Sequence, residues 1–334
     1  MADSIRWGLL STAKINNALI TPIQQSARSE LVAVASRSES TARAYANENG
    51  IPKAVAGYEE LLEDPEIDVV YIPLPNSMHA EWTVRAAEAG KHVLVEKPAS
   101  VTLDGLNQMA AAAKANDVTV FEAFMYLHHP QTQLAKEMID AGRLGKIQTV
   151  TSWFHFYLPP ENSTNIRLST DLVGGGLWDV GVYPNSLAIY MIGDGTPTEV
   201  WAQQIVGESG VDVAMRSQLR FNNGAVAQLS SGLRSPFREG AHIVGEFGSL
   251  VIPQPWKPGE TGSDSVMIFS THDGRSEEIE TPAISPYLCE VQAMEACILD
   301  GAEPVVSLEL SQQFLLSALA QYESARSGTV VTLR

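Results

Sequence analysis

The feature that most constrains this chain is a regular alternation of short apolar runs and longer amphipathic segments over its first 123 residues. The apolar runs predict strands at residues 5–10, 31–35, 68–72, 92–95 and 118–121. The segments between them predict helices at residues 13–25, 38–49, 77–89 and 103–115. Short runs without polar alternation are typical of strands buried on both faces. Their alternation with helices predicts a parallel, doubly wound sheet with right-handed crossovers.

The pattern changes after about residue 124. Further helices are predicted at residues 130–141, 178–191, 284–300 and 308–327, and a strand at residues 147–156. Residues 200–280 are mostly strand-like and are interrupted by turns, which indicates an antiparallel sheet with one open face. We therefore predict an α/β protein of two domains. Residues 1–123 form the doubly wound domain, and residues 124–334 form an α+β domain built on a large, mainly antiparallel sheet.

The net charge excludes some classes of partner. The chain has 22 Lys and Arg against 39 Asp and Glu, a formal charge of −17. Nucleic acids and anionic membranes are bound through clustered cations, so neither is expected as a partner. No apolar run reaches the roughly 18 residues of a membrane-spanning helix. Because residues 1–4 lead directly into a strand pattern, no signal peptide is expected. These features predict a cytoplasmic protein.

The turn after the first strand has the small residues that a dinucleotide site requires. It contains Gly8, Ser11, Thr12 and Ala13. Small residues at this turn let backbone N–H groups and the helix N-terminus approach a pyrophosphate. Only one of the four is glycine, and the same residues also suit a tight turn that binds nothing. We interpret them as cofactor-binding residues because they lie in the first βα unit.

The end of the second strand indicates which nucleotide is bound. An enzyme that uses NAD usually has Asp or Glu here, against the ribose 2′-hydroxyl. This chain has Ser36 and Arg37 instead. A guanidinium can bind a 2′-phosphate through two hydrogen bonds, so we predict NADP, with NAD as second choice. The alternative is that Arg37 is a solvated residue at the end of a strand.

A proline-rich segment follows the next predicted strand. Pro73 cannot extend a strand ladder, so the chain leaves the sheet at its carboxyl edge, where ligands bind in doubly wound folds. Asn76 is placed to cap the next helix, and His79 lies in its first turn. We predict that Pro73, Asn76 and His79 bind the cofactor. A capped turn with a structural histidine is the alternative.

A lysine stands at the carboxyl end of the following strand. Glu96 and Lys97 precede Pro98, which favours an extended backbone at Lys97 and directs its side chain above the sheet. We predict that both residues contact the cofactor and that Lys97 also binds substrate and supports proton transfer. An ordinary lysine paired with Glu96 is the alternative.

A Gly triplet at residues 174–176 leads into a predicted helix that carries Asp179 and Tyr183. Side chains four apart share one face of a helix. Tyr183 is then a candidate general acid and base, with Lys97 as the cation that stabilises its phenolate. Asp179 is predicted to hydrogen-bond the substrate. The alternative is that Tyr183 is a core aromatic residue and Asp179 a helix cap.

Other polar residues give weaker signals. Arg167 and His155 lie near the Gly triplet in sequence and are candidates for binding substrate hydroxyls. His128 and His129 are neighbours whose side chains do not converge, and no carboxylate follows at ligand spacing. We predict no metal.

Five segments occur in one order along the chain: RWGLLSTAKIN at 6–16, YIPLPNSMHAEW at 71–82, AGKHVLVEKP at 89–98, EAFMYLHHPQ at 122–131 and GGGLWDVGVYP at 174–184. Together they resemble the glucose-fructose oxidoreductase/inositol dehydrogenase/MocA family. The resemblance implies a nucleotide-binding domain, a C-terminal domain whose open sheet often mediates dimers, and NAD(P)-dependent redox chemistry on sugars or related alcohols. It also implies that Lys97 and Asp179 are catalytic-site residues. Many members of the family have histidine at the position of Tyr183. This chain has tyrosine there, like the branches that include glucose-fructose oxidoreductase and dihydrodiol dehydrogenase.

The function that we predict from the residues and the resemblance together is hydride transfer between NADP and a sugar-like alcohol. The leading reaction is oxidation of an aldopyranose at C1 to its lactone, with Lys97, Asp179 and Tyr183 as catalytic residues. Oxidation of trans-dihydrodiols and reduction of keto-sugars are alternatives. A nucleotide-binding sensor without catalysis is an alternative of another class. We expect a homodimer or homotetramer that assembles through the C-terminal sheet.

Overall fold

The protein structure, a computed structural model, describes residues 4–260 and 262–333. Two compact units are distinguished in it. The first contains the chain up to Met125 together with Tyr287–Ser311. The second contains Tyr126–Pro286 and the chain from Gln312 onward. The domain boundary predicted between residues 123 and 124 therefore does not account for residues 287–311, which come later in the chain but belong to the first unit. Hydrophobic periodicity cannot reveal such a return, because it does not specify which sheet a helix packs against.

The first unit contains a six-stranded sheet in which every pair of neighbours is parallel. Its strands are β1 (Ile5–Leu9), β2 (Ser29–Ser36), β3 (Lys53–Ala56), β4 (Val69–Ile72), β5 (His92–Glu96) and β6 (Val120–Ala123). Their order is β3-β2-β1-β4-β5-β6, which confirms the predicted doubly wound topology. Strand β3 was not predicted. This edge strand buries only Val55 of its four residues, so it has no apolar run to recognise.

The second unit contains a nine-stranded sheet of order β14-β13-β12-β11-β7-β10-β9-β8-β15. Its strands are β7 (Ile147–Tyr157), β8 (Glu199–Val206), β9 (Asp212–Arg220), β10 (Val226–Gly232), β11 (Arg234–Gly245), β12 (Gly248–Ile252), β13 (Ser265–Thr271), β14 (Ser276–Thr281) and β15 (Val331–Thr332). Strands β7 and β10 pair in parallel, and the other neighbours are antiparallel. In β9 the residues from Val213 to Arg220 largely alternate between buried and less buried. The predicted, mainly antiparallel sheet with one open face is confirmed.

The helices of the described residues agree closely with the sequence pattern, except that α3 was not predicted. They are α1 (Asn16–Gln25), α2 (Glu39–Asn49), α3 (Tyr58–Leu62), α4 (His79–Glu88), α5 (Leu103–Ala115), α6 (Pro130–Asp140), α7 (Val182–Ile192), α8 (Pro286–Asp300) and α9 (Leu308–Ser327). Helix α1 begins three residues later than predicted. The side-chain amide (Nδ2) of Asn16 donates to the Ser11 carbonyl over 2.8 Å, which stabilises the turn that precedes the helix.

Helix α7 carries Tyr183 and packs against β7 and β10. All its residues except Tyr190 are buried, so it shows no amphipathic pattern. The buried side-chain amide of Asn185 is hydrogen-bonded through both its nitrogen and its oxygen within the second unit. Its Nδ2 atom donates to the Phe314 carbonyl over 3.0 Å, and Oδ1 accepts from Ser317 at 2.6 Å and from Gln321 at 2.9 Å. These bonds fix α7 against α9.

Over the ranges 4–260 and 262–333, no helix combines the length and the apolar character needed to cross a membrane. The expectation about a signal peptide concerns residues 1–4, of which residues 1–3 lie outside the described part of the chain.

Candidate active site

The first predicted cofactor residues lie in the turn between β1 and α1, at the carboxyl edge of the parallel sheet. Gly8 packs closely against Leu61 and Ile67, and a Cβ there would lie 3.1 Å from the Leu61 side chain. Ser11 is buried, and its Oγ accepts from the Ala13 backbone N–H at 3.2 Å. Thr12 and Ala13 are half-buried. The turn is therefore tight and lined by small residues, as a pyrophosphate site requires.

The end of β2 presents an exposed cation. Ser36 is buried, whereas Arg37 is exposed and forms no ion pair with the described residues. The nearest acid in sequence is Glu39, which binds Arg43 one turn along α2 at 2.5 Å. The guanidinium of Arg37 thus fits the 2′-phosphate of NADP better than the 2′-hydroxyl of NAD.

The segment after β4 differs from its prediction in two respects. A 3₁₀ turn, Asn76–Met78, precedes α4, so Asn76 lies inside that turn, and the N-cap position of α4 is taken by Met78. His79 is only 1% exposed. Its Nδ1 lies 2.7 Å from the Pro98 carbonyl oxygen and its Nε2 lies 2.6 Å from the Leu74 carbonyl oxygen. Neither ring nitrogen is open to a cofactor. Pro73 is buried directly after β4.

Lys97 follows β5 and is half-buried, and the peptide bond between Lys97 and Pro98 is cis. Glu96 accepts a hydrogen bond of 2.5 Å from the Tyr71 hydroxyl. The sequence analysis did not single out Glu122, which lies at the end of β6 and is 3% exposed. Its Oε1 accepts from the Ala99 backbone N–H at 2.8 Å. Burial raises the pKa of Glu122 to about 7, against the opposing effect of the nearby Lys97 ammonium.

In the second unit, Asp179 lies in a π-helical turn, Leu177–Gly181, directly before α7. The Nε of Arg167 donates to Oδ2 of Asp179 over 2.7 Å. The Asp179 side chain is 12% exposed and that of Arg167 is 42% exposed, so the ion pair is partly buried. The structure therefore brings Arg167 and Asp179 together, although they lie 12 residues apart. Single π-turns within helices occur frequently at functional sites.

Two glycines of the triplet before this turn, Gly174 and Gly175, lie against groups that leave no room for a Cβ. A Cβ at Gly174 would collide with the Arg167 carbonyl group, whose oxygen accepts from the Gly175 N–H at 2.9 Å. A Cβ at Gly175 would overlap the carboxylate of Asp212, and Gly175 has φ of +131°. These positions require glycine because backbone or carboxylate oxygens occupy the space of a side chain.

Asp212 is a second residue that the sequence analysis missed. It is 3% exposed at the start of β9. Its Oδ2 accepts from the Leu177 N–H at 2.8 Å, and its Oδ1 accepts from the Tyr322 hydroxyl at 2.6 Å. Burial raises the pKa of Asp212, while these two hydrogen bonds lower it. Asp212 thus fixes the start of the turn that carries Asp179.

Tyr183 lies in the first turn of α7, is 8% exposed and is surrounded by aromatic rings. The ring centroids of Phe154, Trp256 and Tyr126 lie 5.4, 5.5 and 5.9 Å from its own. These contacts fix the plane of the Tyr183 ring. A solvated phenol would be free to rotate, whereas this one is held in a defined position.

His155 does not lie beside Tyr183. It follows Phe154 in β7, and successive side chains of a strand point to opposite faces. Phe154 contacts Tyr183, so His155 faces the other side of the sheet, where its Nε2 lies 3.0 Å from the Ser230 hydroxyl. Its candidacy for the same site as Tyr183 was wrong. Lys97 belongs to the first unit, and its convergence with Asp179 and Tyr183 stays a prediction.

The histidine pair also has a structural explanation. His129 is buried and caps α6, since its Nδ1 accepts from the Gln131 N–H at 3.0 Å. Burial lowers the pKa of His128 and of His129 to about 4. Within residues 4–260 and 262–333, no group of three or more His, Cys, Asp or Glu side chains is placed to hold a metal ion.

Comparisons with known proteins agree with this architecture. Residues 5–124 match the model of an oxidoreductase family with an NAD-binding Rossmann fold, and residues 132–251 match the model of the GFO/IDH/MocA C-terminal domain. The chain is 37% identical to D-xylose 1-dehydrogenase (NADP(+)) 2 of Haloferax volcanii, over 98% of this chain and 99% of that protein.

Two solved structures are similar along nearly the whole chain. Aldose-aldose oxidoreductase of Caulobacter crescentus, complexed with glycerol, has a TM-score of 0.89 at 25% identity and covers 99% of this chain and 100% of its own. A 3-ketoreductase of Actinomadura kijaniata, in complex with NADP and TDP-benzene, has a TM-score of 0.85 at 30% identity, over 97% and 98% of the two chains.

A parallel sheet of this strand order, with a tight turn of small residues after its first strand, is a dinucleotide-binding fold. Together with the separate, mainly antiparallel sheet and the two family models, it identifies the class as a nucleotide-dependent oxidoreductase of two domains. The chain belongs to the glucose-fructose oxidoreductase/inositol dehydrogenase/MocA family, as the sequence motifs predicted.

Proposed function

We propose that this protein is an NADP-preferring dehydrogenase that oxidises an aldopyranose at C1 to the lactone. The observation that carries the proposal is the carboxylate of Asp179, held by Arg167 one helical turn before an immobilised Tyr183. A fixed carboxylate and a fixed phenol can bind and deprotonate one hydroxyl group. The similarity to the D-xylose dehydrogenase of Haloferax volcanii supports both the sugar substrate and NADP.

The residues of the first unit have distinct parts in this proposal. Gly8, Ser11, Thr12 and Ala13 bind the pyrophosphate, Ser36 and Arg37 bind the 2′-phosphate, and Pro73, Asn76 and Glu96 border the nucleotide. NADP supplies a nicotinamide ring that accepts a hydride. The predicted contact of His79 with the cofactor is not part of the proposal, because both of its ring nitrogens face backbone carbonyls.

The chemical step is assigned to three side chains. Tyr183 removes the hydroxyl proton while a hydride leaves the carbon that bears it. Lys97 stabilises the phenolate form of Tyr183 that accepts the proton, as a cation does for any nearby anion, and it contacts the substrate. Asp179 and Arg167 orient the sugar through its hydroxyl groups. Tyr183 is then a neutral phenol, and it regenerates its phenolate form by releasing the proton to solvent.

The test measures NADPH formation with D-xylose and other aldoses in wild type, Tyr183→Phe and Lys97→Met. We expect either substitution to reduce kcat by at least about a hundredfold while the Kd for NADP changes little. Tyr190→Phe is the matched control, since Tyr190 lies on the same helix and its hydroxyl binds Gln133 at 3.1 Å. Wild-type kcat in Tyr183→Phe would refute the assignment of the general base.

Reduction of a keto-sugar is a second candidate function, favoured by the similarity to the 3-ketoreductase of Actinomadura kijaniata. The same residues serve that direction, with Tyr183 as the proton donor. Assays in both directions, with aldoses, keto-sugars and a trans-dihydrodiol, distinguish the candidates by their kcat/KM values. Nicotinamide reduction or oxidation with any of them would exclude a sensor without catalysis.

Assembly and location complete the proposal. We propose a homodimer or homotetramer formed through the open face of the nine-stranded sheet, where Trp201 is 45% and Ile205 49% exposed on β8. Light scattering of wild type and of Trp201→Glu/Ile205→Glu tests it, with a smaller mass expected for the double variant. We also propose that the protein acts in the cytoplasm, which cell fractionation would test.

A further inference from the structure

The turn that carries Lys97 is held from two sides by buried side chains of the first unit. On one side, Nδ1 of His79 lies 2.7 Å from the Pro98 carbonyl oxygen. On the other, the Ala99 N–H donates to Oε1 of Glu122 over 2.8 Å. The two bonds engage the two residues that follow Lys97, so they restrain the backbone from which its side chain projects.

His79 joins this turn to the start of α4. It is 1% exposed, and its Nε2 lies 2.6 Å from the Leu74 carbonyl oxygen. Both of its neighbours are acceptors, so each ring nitrogen that binds must donate, and a neutral ring has only one N–H. Burial lowers the pKa of His79, and the two carbonyls oppose that effect. The ring has no nitrogen left to contact a ligand.

Glu122 joins the turn to the end of β6. Glu122 pairs in register with Val95 of β5, and its carboxyl group is almost fully buried. Lys97 is close enough to oppose the effect of burial on the pKa of Glu122. A buried carboxyl group is costly unless its oxygens are hydrogen-bonded, and the Ala99 N–H supplies one bond.

We propose that His79 and Glu122 are positioning residues for Lys97, acting through their hydrogen bonds to Pro98 and Ala99. The inference rests on the proposed function, because it assumes that Lys97 takes part in catalysis. In this proposal neither side chain is assigned a contact with substrate or cofactor. A small displacement of a catalytic group can reduce turnover by as much as about a hundredfold, so the loss of either bond is expected to lower kcat rather than nucleotide affinity.

At His79, substitution by each of two amides separates the contact with Pro98 from the contact with Leu74. The amide nitrogen of Asn is placed like Nδ1 and retains a donor toward Pro98, whereas that of Gln is placed like Nε2 and retains a donor toward Leu74. We expect kcat of His79→Asn within about threefold of wild type and kcat of His79→Gln reduced by about tenfold or more. Equal kcat in the two variants would contradict the role of the Pro98 bond.

At Glu122 an isostere separates the hydrogen bond from the charge. The amide oxygen of Glu122→Gln can still accept from Ala99, whereas Glu122→Leu has no acceptor. We expect Glu122→Gln to retain most of kcat and Glu122→Leu to lose about tenfold or more. If Glu122→Gln falls as far as Glu122→Leu, the charge matters rather than the hydrogen bond, and the proposal fails.

The decisive experiment combines these changes with Lys97→Met. If His79→Gln and Glu122→Leu act through Lys97, neither should lower the residual kcat of the Lys97→Met enzyme further, whereas a general structural defect would. His92→Asn is the control for a half-buried histidine of the first unit, because His92 lies at the other end of β5 and its Nδ1 accepts from the Thr119 N–H at 2.9 Å. It should keep wild-type kcat.

The outcomes distinguish this inference from the proposed function. If Lys97→Met itself has wild-type kcat, the proposed role of Lys97 fails, and the inference fails with it. If Lys97→Met is inactive but His79→Gln and Glu122→Leu turn over normally, only the positioning roles fail. Circular dichroism and the Kd for NADP, measured on each variant, show whether the first unit still folds and binds nucleotide.

Discussion

The Nε of Arg167 lies 2.7 Å from Oδ2 of Asp179, and the carbonyl oxygen of the same arginine accepts from the Gly175 N–H at 2.9 Å. One residue thus orients the Asp179 carboxylate with its side chain and holds the backbone before it with its main chain. Arg167 lies in a short 3₁₀ turn, Ile166–Leu168, within the loop between β7 and the π-turn. That loop therefore belongs to the candidate active site and is not simply a connection.

Removal of the Arg167 side chain tests this relationship. In Arg167→Met, Asp179 loses its partner in a partly buried position, which typically costs about 1–3 kcal/mol for a hydrogen-bonded charge. We expect kcat/KM to fall by about tenfold or more, measured with the best sugar substrate. The control is Arg220→Met, because Arg220 forms an exposed pair with Glu199 at 3.3 Å. A similar loss in both variants would contradict a specific role for Arg167.

The cofactor preference is expected to depend on Arg37. Hydrogen bonds to a charged group contribute about 1.5–3 kcal/mol, so Arg37→Ala should weaken NADP binding by about tenfold to a hundredfold and leave NAD binding unchanged. Titration of both nucleotides by fluorescence measures the two Kd values. Arg43→Ala is the matched control, since Arg43 is already paired with Glu39. Undiminished discrimination in Arg37→Ala would disprove the 2′-phosphate assignment.

The stability of the protein should depend on pH through Glu122. Its pKa is raised from 4.5 to about 7 by burial, so the folded state binds the proton more tightly than the unfolded state. This contribution is fully present below the unfolded pKa of 4.5 and is lost as the pH rises through about 7. It amounts to about 3 kcal/mol.

Glu122→Gln removes this titration. The free energy of unfolding of wild type, relative to the variant, should therefore fall by up to about 3 kcal/mol as the pH rises from about 4 to about 8. Urea unfolding at several pH values measures it. Burial also raises the pKa of Glu239 to about 7, but Glu239 titrates in both proteins and its effect cancels in the difference. A difference that does not vary with pH would contradict the shift at Glu122.

Gly175 is expected to tolerate no side chain. In Gly175→Ala the new Cβ would overlap the Asp212 carboxylate, and its φ of +131° is one that other residues rarely adopt. We expect a loss of stability of about 2 kcal/mol and reduced turnover, because Asp212 fixes the turn that carries Asp179. Gly274→Ala is the control: its φ is +87°, but nothing lies within 4 Å of its Cβ. Thermal unfolding and activity of the two variants separate backbone strain from the steric conflict.

The sequence predicted the regular elements well where burial is uniform. The apolar runs of β1, β2, β4 and β5 were recognised because a parallel sheet buries both faces of its strands. Helices α5 and α9 agree with the predicted bounds. The edge strand β3 was missed because its residues are largely exposed. The π-turn Leu177–Gly181 was predicted as α-helix, since both conformations place apolar residues at similar spacing.

The residues of the candidate site were likewise only partly predictable from the sequence. Asp179 and Tyr183 could be named from a motif, because each carries a functional group near a helix start. Arg167 was named only for its position near the Gly triplet in sequence. His79 was named as a cofactor contact, and the sequence did not show that both of its ring nitrogens lie against backbone carbonyls. Glu122 and Asp212 were missed, because a single acid beside an apolar run shows neither its burial nor the backbone N–H groups that it accepts from.

The amino-acid sequence by itself therefore determined the fold class, the family and the types of side chain available for chemistry. Those properties depend on local periodicity and on short ordered motifs, which are written along the chain. Only the tertiary structure decided which polar groups are buried, which hydrogen bonds they make and which residues hold others in place. Such relationships join residues as far apart in sequence as Asp212 and Tyr322. They arise on folding, because packing excludes water and each buried polar group must then form its hydrogen bonds within the protein.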